Sequence, residues 1–433
     1  MRNATVVVQK VAGHPDRAVE AVFGVFEEAR GKLTHCRTVF IKVNTVYFHA
    51  HLFTSVRLVE AAVKYIRGLD ARKEIYLMDN CSQGNFTRLN FVATGMDRAA
   101  RRIGARCLYL DEEKAVPVSP ENGPAVPFEF PKILYRRLIL DREDSFYLNM
   151  PILKAHCQTQ MTAGLKNQMG LLSDTDRARD HNHGLHQKIV DIYRFIQPDF
   201  TLTDALKVVA RGPLAAGRFV EALLHPKDLI LGGTDTVAVD AVATKLLGHD
   251  PSAVKHVTLA AEAGLGVADL SRIDVRGDLP SASEKIPWEF ETHLPDSIRF
   301  VIGKGGACYE GCLGHAEQVL ELVVNDTGSF DKVRNKPLTI LAGKQFEESQ
   351  LEHLSEPVVV LGKCACAEVL PHIQARYRKL DVLDTCGRCD NILAVCLRRL
   401  GVSPFALAPV SPPRMIYHYV VGRLNGLRYT IPR

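Results

Sequence analysis

TVFIKVNTVYFHAHLFTSVRLVEAAVKYIRGLDARKEIYLMDN (38–80) sets the architecture of the chain. TVFIKVN (38–44) is a short β-rich run, apolar on both faces, as expected of a strand covered on both sides. SVRLVEAAVKYIRGL (55–69) then spaces its apolar residues at helical intervals, and EIYLMDN (74–80) returns to the strand pattern. One β-α-β unit of this kind predicts parallel strands joined by a crossover helix. The rhythm continues outward. FVATGMDRAARRIG (91–104) reads as a helix, ARCLYLD (105–111) and SFYLNMPIL (145–153) as strands, and VPVSPENGPAVPFEFP (116–131) as a surface excursion. QKIVDIYRFI reads as a helix, DFTLTDAL as a strand entering a loop, DLILGGTD as a strand and VAVDAVATKLLG as a helix. SDTDRARDHNHGLHQK (173–188) is so hydrophilic that we expect a loop over a site. The fold class is therefore α/β, a mostly parallel sheet domain over about residues 1–290.

A second unit, 296–433, is expected after the proline-bearing KIPWEFETHLPDS (285–297). It repeats strand, Cys loop and helix. RFVIGKG precedes CYEGC (308–312), PVVVLGK precedes CAC (364–366), and KLDVLDT precedes CGRC (386–389). A tail with strand-like patches follows. Ligands of open α/β sheets bind outside the carboxyl ends of the strands. Three separate loops should thus gather Cys308, Cys312, Cys364, Cys366, Cys386 and Cys389, with helix N-termini favouring thiolates. Cys396 lies on the apolar face of the last helix and reads as core.

Composition frames these readings. The chain has 433 residues, 46% hydrophobic and 24% charged, with a net charge of +5 and no long basic run, so nothing points to nucleic acid. The first residues read as a strand, and no apolar stretch reaches membrane-helix length, so a cytoplasmic protein with no membrane partner is expected. Eleven cysteines in a reducing compartment favour metal or redox chemistry over disulfides.

Thiolate donors of this kind suit an iron–sulfur cluster, 4Fe-4S in the first instance, with zinc as the rival. The strand-then-cysteine arrangement and the GKCA segment resemble the way the small subunits of nickel–iron hydrogenases hold their proximal 4Fe-4S cluster. That family's following Gly-Cys-Pro element is replaced here by TCGRC. Over residues 38–260 the chain resembles the family "domain of unknown function 362". KVN (42–44), MDNCSQG (78–84), NMPILKAHCQTQMTAGLKNQMG (149–170) and GGTDTVAVDAVATKLLG (232–248) carry the likeness. The resemblance implies a domain often accompanied by iron–sulfur modules and names no reaction.

The first-domain site is read from the residues themselves. Lys154, His156 and Lys166 follow a buried strand and form a basic set for an anionic carboxylate or phosphate, with catalytic roles expected of them. Lys42, Asn44, Asp79, Asn80 and Asn167 occupy comparable strand ends and are expected to bind the ligand. His181, His183 and His186 in HNHGLH are expected to move protons above it, since they lack a carboxylate at metal spacing in sequence. Asp235 should cap the 236–248 helix, and Asp240 should face a loop junction or a lysine. The leading expectation is a cluster-dependent redox enzyme on an anionic small molecule, in an oxygen-poor setting and served by an electron-donor protein. Alternatives are a metal-free or nickel-dependent hydroxy-acid isomerase or racemase, and a non-catalytic electron-transfer or cluster-delivery protein.

Overall fold

The computed structural model describes residues 3–81, 84–119, 127–179, 181–213, 217–280, 284–386 and 388–428. The first sheet has eight strands. From one edge they are Ile273–Gly277, Ala4–Lys10, Leu224–Gly233, Phe200–Val209, Ser145–Asn149, Thr38–Lys42, Glu74–Asp79 and Arg106–Tyr109. Leu224–Gly233 runs antiparallel to both neighbours, and every other pairing in the sheet is parallel. The two-residue period of the strands divides the core. Val39 and Ile41 pack with the Val56–Leu69 helix on one face, while Phe40 packs with Tyr147 and the Leu185–Phe195 helix on the other.

Helices therefore cover both faces, and polar strand-end residues collect where the central strands finish. Residues 91–104 are interrupted at Gly95, giving helices Thr87–Thr94 and Met96–Arg102. The segment read as a strand entering a loop is the ten-residue strand Phe200–Val209. Asp235 caps the Thr236–Leu246 helix through the Ala238 N–H, and Asp240 accepts from Gly164 and Leu165 N–H at 2.7 and 2.9 Å.

The second sheet is wholly parallel, in the order Ile298–Ile302, Leu338–Ala342, Val358–Leu361, Leu380–Leu383. Helices Gly314–Glu321 and Cys389–Leu400 pack on one face, and Lys363–Ile373 on the other. The expected strand-like tail is instead the helix Pro412–Leu424, started by two prolines in its first turn. It returns to the first domain, where Leu427 packs with Phe86 and Leu89, and Tyr419 faces the Phe86 ring. No helix among the described residues is long and apolar enough to cross a membrane.

Candidate active-site cleft and thiol group

Lys42 ends a central strand with a side chain that cannot reach water. Its ammonium donates to Asp79 Oδ1 at 2.6 Å and to the Val43 carbonyl at 2.9 Å, and both members of the pair are buried. Asp79 Oδ2 accepts from the Thr45 N–H and hydroxyl at 2.6 and 2.7 Å. Burial lowers the Lys42 pKa and the Asp79 charge opposes that shift. Gly170 lies so close that a Cβ there would collide with this pair. Asn44 donates to Asn167, and Asn167 in turn to Asn149 at 2.8 Å, tying two strand ends to the short helix Gly164–Asn167. Asn80 donates to the Leu172 carbonyl. These residues line the cleft, but their polar groups chiefly hold its floor.

The walls are basic. Lys154 and Lys166 reach the cleft from the hairpin Lys154–His156/Gln160–Thr162 and the short helix after it. Lys154 donates to the Leu52 carbonyl at 3.0 Å. Burial, with Lys166 beside it, brings Lys154 down to about 7, and burial with Arg177 nearby brings Lys166 down to about 8. Neither lysine forms an ion pair among the described residues. Arg177 donates to the carbonyls of Cys81, Asn80 and Leu172. Among the described residues, the lining thus holds four cationic side chains and one carboxylate, the Asp79 already bound to Lys42.

Three imidazoles face this space, in a cavity of about 200 Å³. His156 Nδ1 accepts from the Gln158 N–H at 3.2 Å, so its Nε2 carries the proton. His181 Nδ1 donates to the Glu310 carbonyl at 2.7 Å and His315 Nδ1 to the Gly311 carbonyl at 2.6 Å, leaving each Nε2 as an acceptor. The latter two rings stand 4.6 Å apart. Burial holds all three well below ordinary histidine values, so they are neutral at pH 7.

His315, Gln318, Val319, Leu322, Cys389 and Leu393 close the cleft from the second domain. The site is therefore built between the segments that carry the two sheets. His315 and Arg177 were not anticipated. His315 lies three residues after Cys312, in the first turn of the Gly314–Glu321 helix, so its nearness to the CYEGC loop is a usable signal, whereas Arg177 lies in the segment expected as a loop.

That segment, 173–188, departs from expectation. It begins as the helix Asp174–Ala178, capped by Ser173, and Asp176, His181, His186 and Lys188 are buried. Its charges pack because they have partners: Lys188 donates to the Asp176 carbonyl, and Asp176 accepts from the Glu129 N–H. His181 lines the cleft. His183 is exposed near Cys308, and His186 turns away to stack on His256.

The cysteines separate likewise. The loop after Ile302 is pinned to the next strand's loop by Lys304 N–H to Gln345 and Gly305 N–H to Lys344, both 2.9 Å. It thereby crosses the sheet end and carries Cys308 and Cys312 toward the other thiols. Cys312 and Cys386 share a hydrogen bond, and Cys308 and Cys364 add repulsion at Cys312. Cys386 is the member that ionises, because it also accepts from the Lys363 N–H at a helix N-terminus. Gly362, at φ 90°, lets the chain pass Cys312 Sγ where a Cβ would collide.

Cys366 packs with Val360 and Val369, its thiol toward the Val360 carbonyl on the inward face of the Lys363–Ile373 helix, with the Leu383 backbone and the Cys386 thiol as further neighbours. Cys389 starts its own helix and lines the basic cleft, with Asp174, Arg177 and Arg388 as charged neighbours. Cys396 is core, as read. Among the described residues, the donor atoms lying mutually within 4.8 Å are those of His183, Cys308 and Glu310. Cys308, Cys312, Cys364 and Cys386 are thus spaced more widely than four ligands of one tetrahedral ion.

Against known proteins, the chain is 28% identical over 130 residues to the "Thylakoid-associated protein sll1697" of Synechocystis sp. (strain ATCC 27184 / PCC 6803 / Kazusa). That match covers 28% of this chain and 37% of the relative's length. Residues 39–245, the segment that supplies Lys42, Asp79, Lys154, His156, Lys166 and His181, match the family model described as "Domain of unknown function (DUF362)".

Proposed function

We propose that the inter-domain cleft is an active site that binds a small carboxylate or phosphate anion between Lys154 and Lys166. The observation carrying this reading is the pair of buried, depressed lysines in the cleft, to neither of which a carboxylate is bound among the described residues. An anion there would restore both charges and gain charge-assisted hydrogen bonds. The imidazoles then suit proton transfer. His156 offers an Nε2–H, while His181 and His315 offer lone pairs, so donors and acceptors coexist at neutral pH. A 2-hydroxy acid matches this set, with its carboxylate on the lysines and its hydroxyl or α-carbon proton toward the histidines. The test is NMR of 2-hydroxy acids incubated with the protein in deuterated water. Exchange of the α-proton, lost in His181→Ala, supports acid–base chemistry. Binding without exchange of any α-proton contradicts it.

A second reading rests on the thiol group. Cys308, Cys312, Cys364 and Cys386 would hold an iron–sulfur cluster, and such a group supplies one-electron redox chemistry when bound. In that case the same lysines orient an anionic redox substrate and an electron-donor protein serves the cluster from the cytoplasm. Anaerobic preparation followed by iron, sulfide and zinc analysis separates this from the metal-free reading.

A further inference from the structure

We propose that His183, Cys308 and Glu310 form a mononuclear divalent-metal site of the zinc class that joins the two domains beside the cleft. This reading is independent of the anion cleft, and it competes with the cluster reading for Cys308, the one thiol of the four that it uses.

The donors are already gathered. Their ligand atoms lie within 4.8 Å of one another, and Cys308 Sγ stands 3.5 Å from Glu310 Oε2. For metal–sulfur and metal–oxygen bonds of about 2.3 and 2.1 Å, tetrahedral geometry requires roughly 3.6 Å between those two atoms. Two of the three ligands thus stand at the spacing that a single ion needs, and the exposed His183 has only to swing inward. The Glu310 carboxylate forms no ion pair among the described residues. Its backbone is fixed, since the Glu310 carbonyl accepts from His181 Nδ1.

The donor chemistry selects the ion. One thiolate and one carboxylate neutralise a dication, and imidazole completes a mixed sulfur, oxygen and nitrogen set. That set suits zinc, cobalt or ferrous ions and disfavours magnesium and calcium, which prefer all-oxygen shells. Three protein ligands leave a fourth position open, as in catalytic rather than structural zinc sites. The ion would tie the HNHGLH segment of the first domain to the CYEGC segment of the second. The carboxylate that the histidine run lacks in sequence comes from that second segment.

The test is anaerobic titration of the chelator-stripped full chain with Co²⁺, read by visible absorption. The expected result is one tightly bound ion with tetrahedral ligand-field intensity and a thiolate-to-cobalt charge-transfer band. His183→Ala, at an exposed position, and Glu310→Gln should each weaken binding by more than about 100-fold, beyond what outer-shell partners cost. Cys308→Ser should abolish the charge-transfer band, while Cys364→Ser and Cys386→Ser leave affinity and spectrum unchanged. The proposal is overturned if Cys364→Ser or Cys386→Ser removes the band while His183→Ala binds like the parent. It is equally overturned if bound Co²⁺ is octahedral and shows no thiolate band.

Discussion

An anion entering the cleft must bring protons with it. Lys154 and Lys166 sit at about 7 and about 8, against an ordinary lysine value near 10.4. At pH 7.5 they are therefore about 24% and 76% protonated, about one charge between them. A bound anion favours both ammonium forms, so binding should take up about one proton per anion at this pH. Affinity must then fall as pH rises, because more protons have to be supplied. From pH 7.5 to 8.5 the two titrations together predict a loss of about 25-fold, roughly 2 kcal/mol. The three cleft histidines stay neutral throughout this window and contribute nothing. Oxalate suits the measurement, being fully ionised across it. Calorimetry in two buffers of different ionisation enthalpy gives the uptake directly. Lys166→Met should reduce it, since removing Lys166 also removes the repulsion that lowers Lys154. Oxalate binding with no proton uptake and a flat pH profile would refute the reasoning.

Three further outcomes follow from buried geometry. Asp79→Ala leaves the Lys42 ammonium buried without its counter-charge and should lower unfolding stability by about 3–5 kcal/mol in urea denaturation; a loss below about 1 kcal/mol would mean the pair is not buried as described. After anaerobic reconstitution with iron and sulfide, serine at Cys308, Cys312, Cys364 or Cys386 should abolish the cluster absorption, whereas Cys366→Ser and Cys396→Ser should retain it. Gly362→Ala places a Cβ at positive φ and against Cys312 Sγ, so it should destabilise the protein by about 2 kcal/mol or more, visible as a lower thermal midpoint.

The strands and the basic set were legible because local pattern governs them. TVFIKVN is apolar on both faces only because helices cover both faces, and Lys154, His156 and Lys166 lie close together in sequence. What was not legible depends on long-range partners. Asp176 and Lys188 look solvated in sequence, yet each is buried against a backbone group remote from its own position. Residue spacing placed six cysteines at strand ends but not the rotation of each helix, which turns Cys366 inward and Cys389 toward the cleft. His315 completes the site from the other domain, and a reading made one domain at a time had no means of pairing it with His181. The last helix was missed because its valines and tyrosines carry a β-like composition, while the two prolines that start it set its course.

The most direct test of the anion cleft is crystallographic. Crystals soaked in selenate and measured at the selenium edge should show an anomalous peak between Lys154 Nζ and Lys166 Nζ, within hydrogen-bonding reach of both, and the peak should vanish in the Lys154→Met, Lys166→Met double variant. A cleft without selenate, in crystals whose surface lysines bind it, would contradict the account.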